Sequence, residues 1–126
     1  MKRVFTNGCF DILHRGHIEL LKYCKERGYV IVGVNSDKSV KKLKGDSRPY
    51  FSEEDRVFIL SSCKYIDEVI IFDEDTPYDL IKTIKPDIIV KGGDYKPENV
   101  VGNDICDVEI FNYIDGYSTT KILERI

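Results

Sequence analysis

Two histidines stand three residues apart near the N-terminus, in the segment NGCFDILHRGH at residues 7–17. They are His14 and His17, the only histidines among the 126 residues, and their spacing places both on one side of a first helical turn. Gly16 lies between them and allows a ligand to approach the backbone closely. Two imidazole donors beside the free N–H groups of a helix start can bind phosphate oxygens. The segment therefore predicts a site for phosphoryl or nucleotidyl transfer.

Two other kinds of site share parts of this pattern. The histidines could bind zinc together with Cys9 or Asp11, although this set does not match a known structural or catalytic zinc spacing. A Walker A loop is excluded, because no Gly-Lys-Ser/Thr sequence follows the glycines. The phosphate site accounts for the glycines as well as the histidines, and zinc stays the alternative.

The rest of the chain alternates between strand-like and helix-like patterns. Apolar runs bounded by turn residues predict five strands, at residues 1–6, 29–34, 68–72, 87–91 and 108–111. Capping and periodicity signals predict four helices, at residues 16–27, 52–64, 76–84 and 118–125. Residues 35–50 are polar and rich in lysine, which predicts a loop. Alternating strands and helices imply an α/β fold, a parallel sheet with helices on both faces.

In a sheet of this kind, ligands bind beyond the carboxyl ends of the strands. Four polar or glycine-rich segments are predicted to lie at that edge, namely residues 7–17, 35–50, 91–95 and 117–121. Their convergence predicts one site rather than several.

Size and charge limit the other functions that are open to the chain. Its 126 residues suit a single domain over residues 1–126, and a net charge of −3 provides no basic field for nucleic acid. The apolar runs are strand-sized, far shorter than a membrane span, and residues 1–6 enter a strand without a leader-like segment. We therefore expect a cytoplasmic protein that contacts neither nucleic acid nor membrane, with its four scattered cysteines reduced.

Residues 8–17, GCFDILHRGH, resemble the first signature of the HxGH nucleotidyltransferases, in particular of the cytidylyltransferase-like family. The sequence STT at residues 118–120 is similar to that family's second signature, so the resemblance covers essentially the whole chain. It implies a Rossmann-like α/β fold, a requirement for Mg²⁺ or another divalent cation, and pyrophosphate as the leaving group.

Three further stretches are similar to one branch of that family, the adenylyltransferases of ADP-heptose synthesis. They are VNSD at residues 34–37, LKGDSRP at residues 43–49 and VKGGDYKP at residues 90–97. This similarity implies that the partners are ATP and a heptose 1-phosphate. It also implies a homodimer and a separate sugar kinase that acts upstream.

The glycerol-3-phosphate cytidylyltransferases are the next most similar branch. They keep CTP, with glycerol 3-phosphate or another phosphorylated polyol, as the alternative substrate pair. Tyr113 and Tyr95 stand where those enzymes tend to carry arginine and tryptophan, and both departures favour the heptose branch. Residues 101–108 are shorter than in the heptose enzymes, which leaves the identity of the acceptor sugar open.

The resemblance also implies roles for individual residues. His14, His17 and Lys44 are expected to be catalytic, with Lys44 closing over the triphosphate as pyrophosphate leaves. Arg48 and Arg56 are expected to bind a phosphate of the nucleotide or the acceptor. The expected nucleotide-binding residues are Gly8, Cys9, Phe10, Asp11, Gly16, Lys91, Gly92, Asp94, Ser118, Thr119 and Thr120.

Several of these residues have a second interpretation. Asp11 could bind the metal or orient a backbone turn. Lys91 could contact a phosphate, or it could extend its ammonium group to water from a strand end. Asp94 could accept from the amino group of the base or lie near the metal, and Ser118 could be only a helix N-cap.

The basic residues of the middle segment have plainer interpretations as well. Arg56 could form a surface ion pair with Glu53 or Asp55, although an arginine near a helix N-terminus gains nothing from the helix dipole. Lys41 and Lys42 could simply face solvent.

The predicted reaction is in-line attack by a phosphate oxygen of the acceptor on the α-phosphate of the triphosphate. The acceptor phosphate is already an anion at neutral pH, so the reaction needs alignment and charge stabilisation rather than a strong base. The rival hypotheses are a non-catalytic nucleotide sensor on the same scaffold and an interaction module that binds no triphosphate. Pyrophosphate release separates the enzyme from both rivals.

Overall fold

The computed structural model of the chain describes residues 1–112. The strands in these residues are β1 (Arg3–Gly8), β2 (Tyr29–Asn35), β3 (Glu68–Phe72), β4 (Ile88–Gly92) and β5 (Asp107–Phe111). The helices are α1 (Arg15–Lys25), α2 (Asp37–Lys44), α3 (Glu53–Ser61) and α4 (Tyr78–Ile84), with a 3₁₀ turn at Pro97–Asn99. The predicted helix at residues 118–125 lies outside the described residues.

The five strands form one sheet in the order β3-β2-β1-β4-β5, and every neighbouring pair is parallel. This confirms the predicted α/β fold. The chain moves outward from β1 to β3 in one direction and from β4 to β5 in the other. The strand order therefore reverses between β1 and β4, the place where a crevice forms at the carboxyl edge of such sheets.

Successive side chains of each strand point to opposite faces of the sheet, so each face carries a hydrophobic core, and helices cover both. Leu21 of α1 and Leu60 of α3 pack on one face against Val32. Ile81 of α4 packs on the other face against Phe5. All five side chains are completely buried, so the sheet is a rigid support for the loops at its edges.

The pairing of β1 differs on its two sides. Towards β2 it continues to the last residue of β1, where Gly8 lies opposite Val34. Towards β4 it ends at Phe5, which lies opposite Ile89, and the residues of β1 and β4 beyond this point are not paired with each other. The sheet thus opens between these two strands at the carboxyl edge.

The first helix was expected to run to residue 27 and stop at Gly28, but α1 ends at Lys25 with Glu26 as its C-cap. Gly28 lies between α1 and β2, with φ at 157°. A Cβ atom at this position would collide with the carbonyl group of Lys2. The close approach lets Tyr29 donate from its backbone N–H to that carbonyl at 2.8 Å, which starts the pairing of β2 with β1.

The prediction of a loop over residues 35–50 was wrong for its first half, which contains α2. Ser36 is the N-cap, and its side chain accepts from the backbone N–H of Ser39 at 3.2 Å. Val40 is completely buried and anchors this short helix. The exposed Lys41 and Lys42 gave the segment its loop-like composition, which concealed the capping serine and the single apolar anchor.

Two further helix boundaries differ from the prediction, in addition to the end of α1. The helix that was expected to reach residue 64 ends at Ser61. The helix expected to have Thr76 as N-cap begins at Tyr78, with Pro77 in the N-cap position. The hydroxyl of Thr76 still accepts from the backbone N–H of Tyr78, at 3.4 Å, so the capping signal was real but shifted by one residue.

Candidate active site

The segment between β1 and α1, residues 9–14, forms a tight loop that we call the phosphate loop. Phe10 has a φ of 48°, the left-handed conformation that a non-glycine residue rarely adopts. Its side chain is nevertheless buried, and its ring lies 5.3 Å from the ring of His17. The backbone of Phe10 therefore turns the chain, and its ring packs beside the imidazole of His17.

His14 and His17 cap the start of α1 reciprocally. His14 is the N-cap, and its Nδ1 accepts from the backbone N–H of Gly16 at 3.1 Å. His17 reaches back, and its Nδ1 accepts from the backbone N–H of His14 at 3.3 Å. A neutral imidazole that accepts at Nδ1 carries its hydrogen on Nε2. The backbone thus selects the tautomer in which both rings can donate from Nε2.

The two rings stack, with centroids 3.8 Å apart and planes at 26°. Burial, and to a lesser extent the neighbouring His14, lowers the pKa of His17 from its usual 6.5 to about 4. Burial also lowers the pKa of His14. Both side chains are therefore neutral at pH 7 and donate hydrogen bonds without adding charge.

A cavity of about 590 Å³ lies in front of these rings, at the opening between β1 and β4. Among the predicted residues, the cavity is lined by Gly8, Cys9, Phe10, Asp11, His14, His17, Lys44, Arg48 and Lys91. The remaining predicted residues in the described part, which do not line it, are Gly16, Arg56, Gly92 and Asp94. Ser118, Thr119 and Thr120 lie outside the described residues.

Sequence reasoning assigned no site role to the other residues that line this cavity. They are Asn7, Asn35, Leu43, Asp75, Thr76, Pro77, Tyr95 and Val101. Four of them, Asn7, Asn35, Leu43 and Tyr95, fall within the segments that the sequence predicted to converge at the carboxyl edge, although they were given no individual role. None of those segments contains the other four, which lie before α4 and after the 3₁₀ turn. A smaller recess of about 210 Å³ continues from the cavity and adds Asn99 and Val100 to the lining.

Asp11 holds the segment that follows α2. Its carboxylate accepts from the backbone N–H groups of Tyr50 and Phe51 at 2.8–2.9 Å, and from Nε of Arg48 at 2.8 Å. Burial alone would raise the pKa of Asp11, but these hydrogen bonds from Phe51, Tyr50 and Arg48 outweigh it and hold the pKa below its usual value. The structure thus gives Asp11 the role of orienting a turn, and it engages Arg48 as the partner.

Arg56 is buried rather than on the surface, so the alternative of a surface ion pair with Glu53 or Asp55 is wrong. Its guanidinium group donates to the backbone carbonyl of Cys9 and to the carboxylate of Asp37, among other partners. Arg56 and Leu60 are the buried residues of α3 and lie one turn apart, so position 56 is on the face of the helix that packs against the sheet. The phosphate contact that the resemblance implies for Arg56 stays a prediction.

The lysines of α2 differ in their surroundings. Lys44, the last residue of the helix, lines the cavity. Lys42 points to another partner, and its ammonium group lies 2.8 Å from a carboxylate oxygen of Asp75. Both side chains of that pair are more than half exposed, so it contributes little to stability. Lys44 is therefore the lysine of α2 that can reach a ligand in the cavity.

Lys91 of β4 lies on the opposite side of the opening from α2. Its ammonium group is 5.1 Å from the centre of the Tyr95 ring, and burial lowers its pKa. No carboxylate in residues 1–112 forms an ion pair with it, and it lines both the cavity and the recess. A half-buried cation without an acidic partner is a place where an anionic ligand can bind.

Cys9 lies in the phosphate loop, with its Sγ 3.9 Å from Oδ1 of Asn35. Burial raises the pKa of this thiol, against the lowering effect of Lys44. The cysteine is thus protonated at neutral pH, and its thiol lines the cavity as an uncharged group.

Potential metal ligands do not cluster in the part of the chain that the structure describes. No three His, Cys, Asp or Glu side chains of residues 1–112 come together in a group that could hold a metal ion. The zinc alternative thus finds no ligand cluster there, and the oxygens of Asp11 are already engaged by hydrogen bonds. Separately, no helix of residues 1–112 is long and apolar enough to cross a membrane.

Comparison with known proteins places the chain in a family. Residues 5–125 match the family described as cytidylyltransferase-like. The chain is 59% identical over 125 residues to the bifunctional protein HldE of Nitratiruptor sp., and 54% identical over 127 residues to that of Aliarcobacter butzleri. These matches cover 98% and 99% of the chain but 27% of each relative, so the chain spans about a quarter of their length.

Solved structures agree with the fold. The lipopolysaccharide core biosynthesis protein of Thermoplasma volcanium superposes with a TM-score of 0.75 at 32% identity. That match covers 94% of this chain and 99% of the other. Pantoate-beta-alanine ligase of Francisella tularensis, solved in complex with beta-gamma ATP and beta-alanine, has a TM-score of 0.69 at 17% identity, and the match covers 99% of this chain and 65% of the other. At that identity the likeness concerns the fold alone.

Proposed function

Because the chain belongs to the cytidylyltransferase-like family, we propose that its cavity is the active site of a nucleotidyltransferase. The reaction joins a nucleoside monophosphate from a triphosphate to a phosphorylated acceptor and releases pyrophosphate. ATP and heptose 1-phosphate are the favoured substrates. Their support is the 54–59% identity to HldE proteins and the 32% identity to a lipopolysaccharide core biosynthesis protein.

The observation that carries the proposal is the reciprocal capping of His14 and His17. Each Nδ1 accepts from a backbone N–H, so each neutral ring carries its hydrogen on Nε2. The rings stack at the positive end of α1 and line one cavity. Two fixed donors at this position suit the equatorial oxygens of an α-phosphate under attack, where negative charge is redistributed in the transition state.

The neutral histidines leave the charge to other groups. Lys44 and Lys91 line the cavity, one on α2 and one on β4. We assign Lys44 to the triphosphate, where it neutralises the departing pyrophosphate. We assign Lys91 to a substrate phosphate at the opening between β1 and β4. In-line transfer requires two anionic substrates to approach each other, and cations on both sides of the cavity offset their repulsion.

The recess beside the cavity suits a polyhydroxylated acceptor. Asn7 and Asn99 are among the residues that line it, and an asparagine side chain can both donate to and accept from hydroxyl groups. Lys91 and Tyr95 line the recess and the cavity together, so one substrate can extend from one to the other. A sugar phosphate has this form, with a charged end and a chain of hydroxyls.

We propose that the divalent cation enters with the nucleotide. Mg²⁺ is commonly held by substrate phosphates and only one or two carboxylates, so it does not need a protein cage. Asp11 is a poor ligand here because its oxygens accept hydrogen bonds from Arg48, Tyr50 and Phe51. The proposed reaction therefore requires no metal ligand from residues 1–112.

We further propose that a sugar kinase supplies the phosphorylated acceptor, that the enzyme works in the cytoplasm, and that two copies associate as a homodimer. Light scattering on the purified chain tests the last of these, because a monomeric mass would contradict it.

The test of the function is a panel of pyrophosphate-release assays. ATP and CTP are each combined with heptose 1-phosphate, glycerol 3-phosphate and no acceptor, in the presence of Mg²⁺. We expect release with ATP and heptose 1-phosphate. Release only with CTP would replace the substrate assignment and keep the reaction type. Triphosphate binding without release in any combination would instead indicate a nucleotide sensor.

A further inference from the structure

Arg56 is the most deeply buried charged side chain in residues 1–112, with 1% of its surface exposed. Its Nη1 donates to the backbone carbonyls of Cys9 and Asn35, at 2.7 Å each. Nε donates to the carbonyl of Phe51 at 3.1 Å, and Nη2 donates to a carboxylate oxygen of Asp37 at 2.9 Å. Four of the five N–H groups of the guanidinium are thus engaged by protein oxygens.

The four partners belong to different segments around the cavity. Cys9 is in the phosphate loop, Asn35 ends β2, and Asp37 begins α2, the helix that ends at Lys44. Phe51 belongs to the segment between α2 and α3. A single guanidinium group therefore connects the histidine side of the cavity to the lysine side.

Burial of this charge is costly. Three of its partners are neutral carbonyl groups, and the only carboxylate partner, that of Asp37, is 36% exposed. An apolar side chain fills such a position without this cost, as Leu60 does one turn later in α3, where it is completely buried. Packing alone thus does not account for an arginine here, whereas the connection between segments does.

Direct contact with a substrate is a poor fit for the same residue. Arg56 does not line the cavity, although Cys9 and Asn35 do. To reach a phosphate, the guanidinium would have to break its hydrogen bonds to the carbonyl groups of Cys9, Asn35 and Phe51, and lost hydrogen bonds to buried groups are costly.

We propose that Arg56 is a positioning residue that holds the phosphate loop and the start of α2 at one spacing, so that His17 and Lys44 act on the same ligand. The inference rests on the proposed function for the identity of the reaction. It assigns Arg56 an effect on catalysis through two other residues and no contact with substrate.

Arg56→Lys is the informative substitution. Lysine keeps the charge, but its ammonium is a point charge that cannot reproduce a planar fork reaching four separate acceptors. A misplacement of about 1 Å between reacting groups can lower a rate by roughly 100-fold. We expect Arg56→Lys to lower kcat by about 10- to 100-fold, with the KM for the triphosphate changed by less than about threefold.

A double-mutant cycle tests whether the effect passes through Lys44 and His17. Arg56→Lys is combined with Lys44→Gln and, separately, with His17→Asn, and kcat is measured per folded protein. A positioning residue loses its effect when its target is absent, so Arg56→Lys should cost less than about threefold in either background. Additive losses in both backgrounds would overturn the proposal, as would a rise confined to the KM for the triphosphate.

Arg27→Lys is the matched control. Arg27 also connects distant elements, since its Nε donates to Glu109 at 2.9 Å and its Nη1 to the carbonyl of Tyr23, but it does not line the cavity. We expect this variant to lower stability and leave kcat unchanged. An equal loss of kcat in Arg27→Lys would mean that any destabilisation reduces activity, and it would overturn the specific role of Arg56.

Asp37→Ala is the second variant, in case Arg56→Lys does not fold. It removes the link from Arg56 to α2 and leaves the link to Cys9 intact. Its effect on kcat should likewise fall below about threefold in both the Lys44→Gln and the His17→Asn backgrounds, and additive losses in both would overturn the proposal. Calorimetric triphosphate affinity needs no turnover, and Arg56→Lys should change it by less than about threefold. A larger loss of affinity would overturn the positioning role even if the wild type proved inactive, whereas an inactive wild type that binds triphosphate would contradict the proposed function alone.

Discussion

The backbone N–H of His14 donates to Nδ1 of His17 at 3.3 Å, and the rings of the two residues stack with their centroids 3.8 Å apart. The same contact caps α1 and fixes which ring nitrogen of His17 carries the hydrogen. A structural requirement of the helix start and a chemical requirement of the site are thus met by one hydrogen bond. Substitutions at His17 must be chosen to separate the two.

His17→Asn separates them. The amide oxygen of asparagine can still accept from the backbone N–H of His14, but the donor at Nε2 is lost. We expect kcat to fall by about 10²- to 10³-fold, the usual cost of removing one electrostatic donor, with a small change in stability. His17→Ala removes the cap as well and should lose stability in addition. Turnover within a few-fold of wild type in His17→Asn would count against the catalytic role.

The pH dependence of stability should report the burial of His17. The pKa of His17 is about 4 in the folded protein and about 6.5 in the unfolded chain. Between pH 4 and pH 6.5 the unfolded chain therefore binds more protons than the folded protein. The contribution to stability is fully present above pH 6.5 and is lost as the pH falls towards 4. It amounts to at most about 3 kcal/mol. Urea unfolding at several pH values should show a shallower loss for His17→Asn over this window, and parallel curves would argue against a neutral, buried ring.

Lys44 and Lys42 form a matched pair of substitutions on one helix. Lys44 lines the cavity, whereas Lys42 does not line it and forms an exposed ion pair with Asp75, a carboxylate that does. Lys44→Met should lower kcat/KM by about 10- to 100-fold, as expected for the loss of a charged contact of 1.5–3 kcal/mol. Lys42→Met should stay within about twofold of wild type. Steady-state kinetics at fixed ionic strength checks both values, and equal losses would mean that the lysines act only through the general field.

Lys91→Met should change stability and binding in opposite directions. The ammonium of Lys91 is desolvated and has no carboxylate partner in residues 1–112, so its removal should raise the free energy of unfolding by about 1 kcal/mol. Affinity for the phosphorylated substrates should fall by about tenfold or more. Lys25→Met is the control, because Lys25 forms an ion pair with Asp67 at 2.8 Å, far from the cavity. A loss of stability in Lys91→Met would show that the charge is paired in solution.

The sequence was sufficient for the sheet and for the centre of the site. Strands β1 to β5 follow apolar runs, and the histidine pair has a local spacing that one helical turn translates directly into geometry. The contacts around Asp11 and Arg56 were not predictable in this way. Asp11 binds a backbone N–H 39 residues away, and Arg56 a carbonyl 47 residues away. Neither partner is a side chain, so no residue type in the sequence marks it.

The helix α2 shows the other limit of sequence reasoning. Its stability depends on the buried Val40 and on the capping Ser36, and both are single residues in a segment dominated by exposed lysines. Periodicity over eight residues cannot distinguish such a helix from a polar loop, because one anchor gives no repeat. Tertiary packing decides the conformation of this segment, and with it the position of Lys44.

The central claim is that the bond broken lies between the α- and β-phosphates of the nucleotide. The most direct measurement uses ATP labelled either at the α- or at the γ-phosphate, with heptose 1-phosphate and Mg²⁺. We expect the α-label to appear in a nucleotide sugar and the γ-label in pyrophosphate, and His17→Asn to slow the appearance of both by about 100-fold or more. Transfer of the γ-label to the acceptor, or an α-label that stays in the triphosphate, would contradict the central claim.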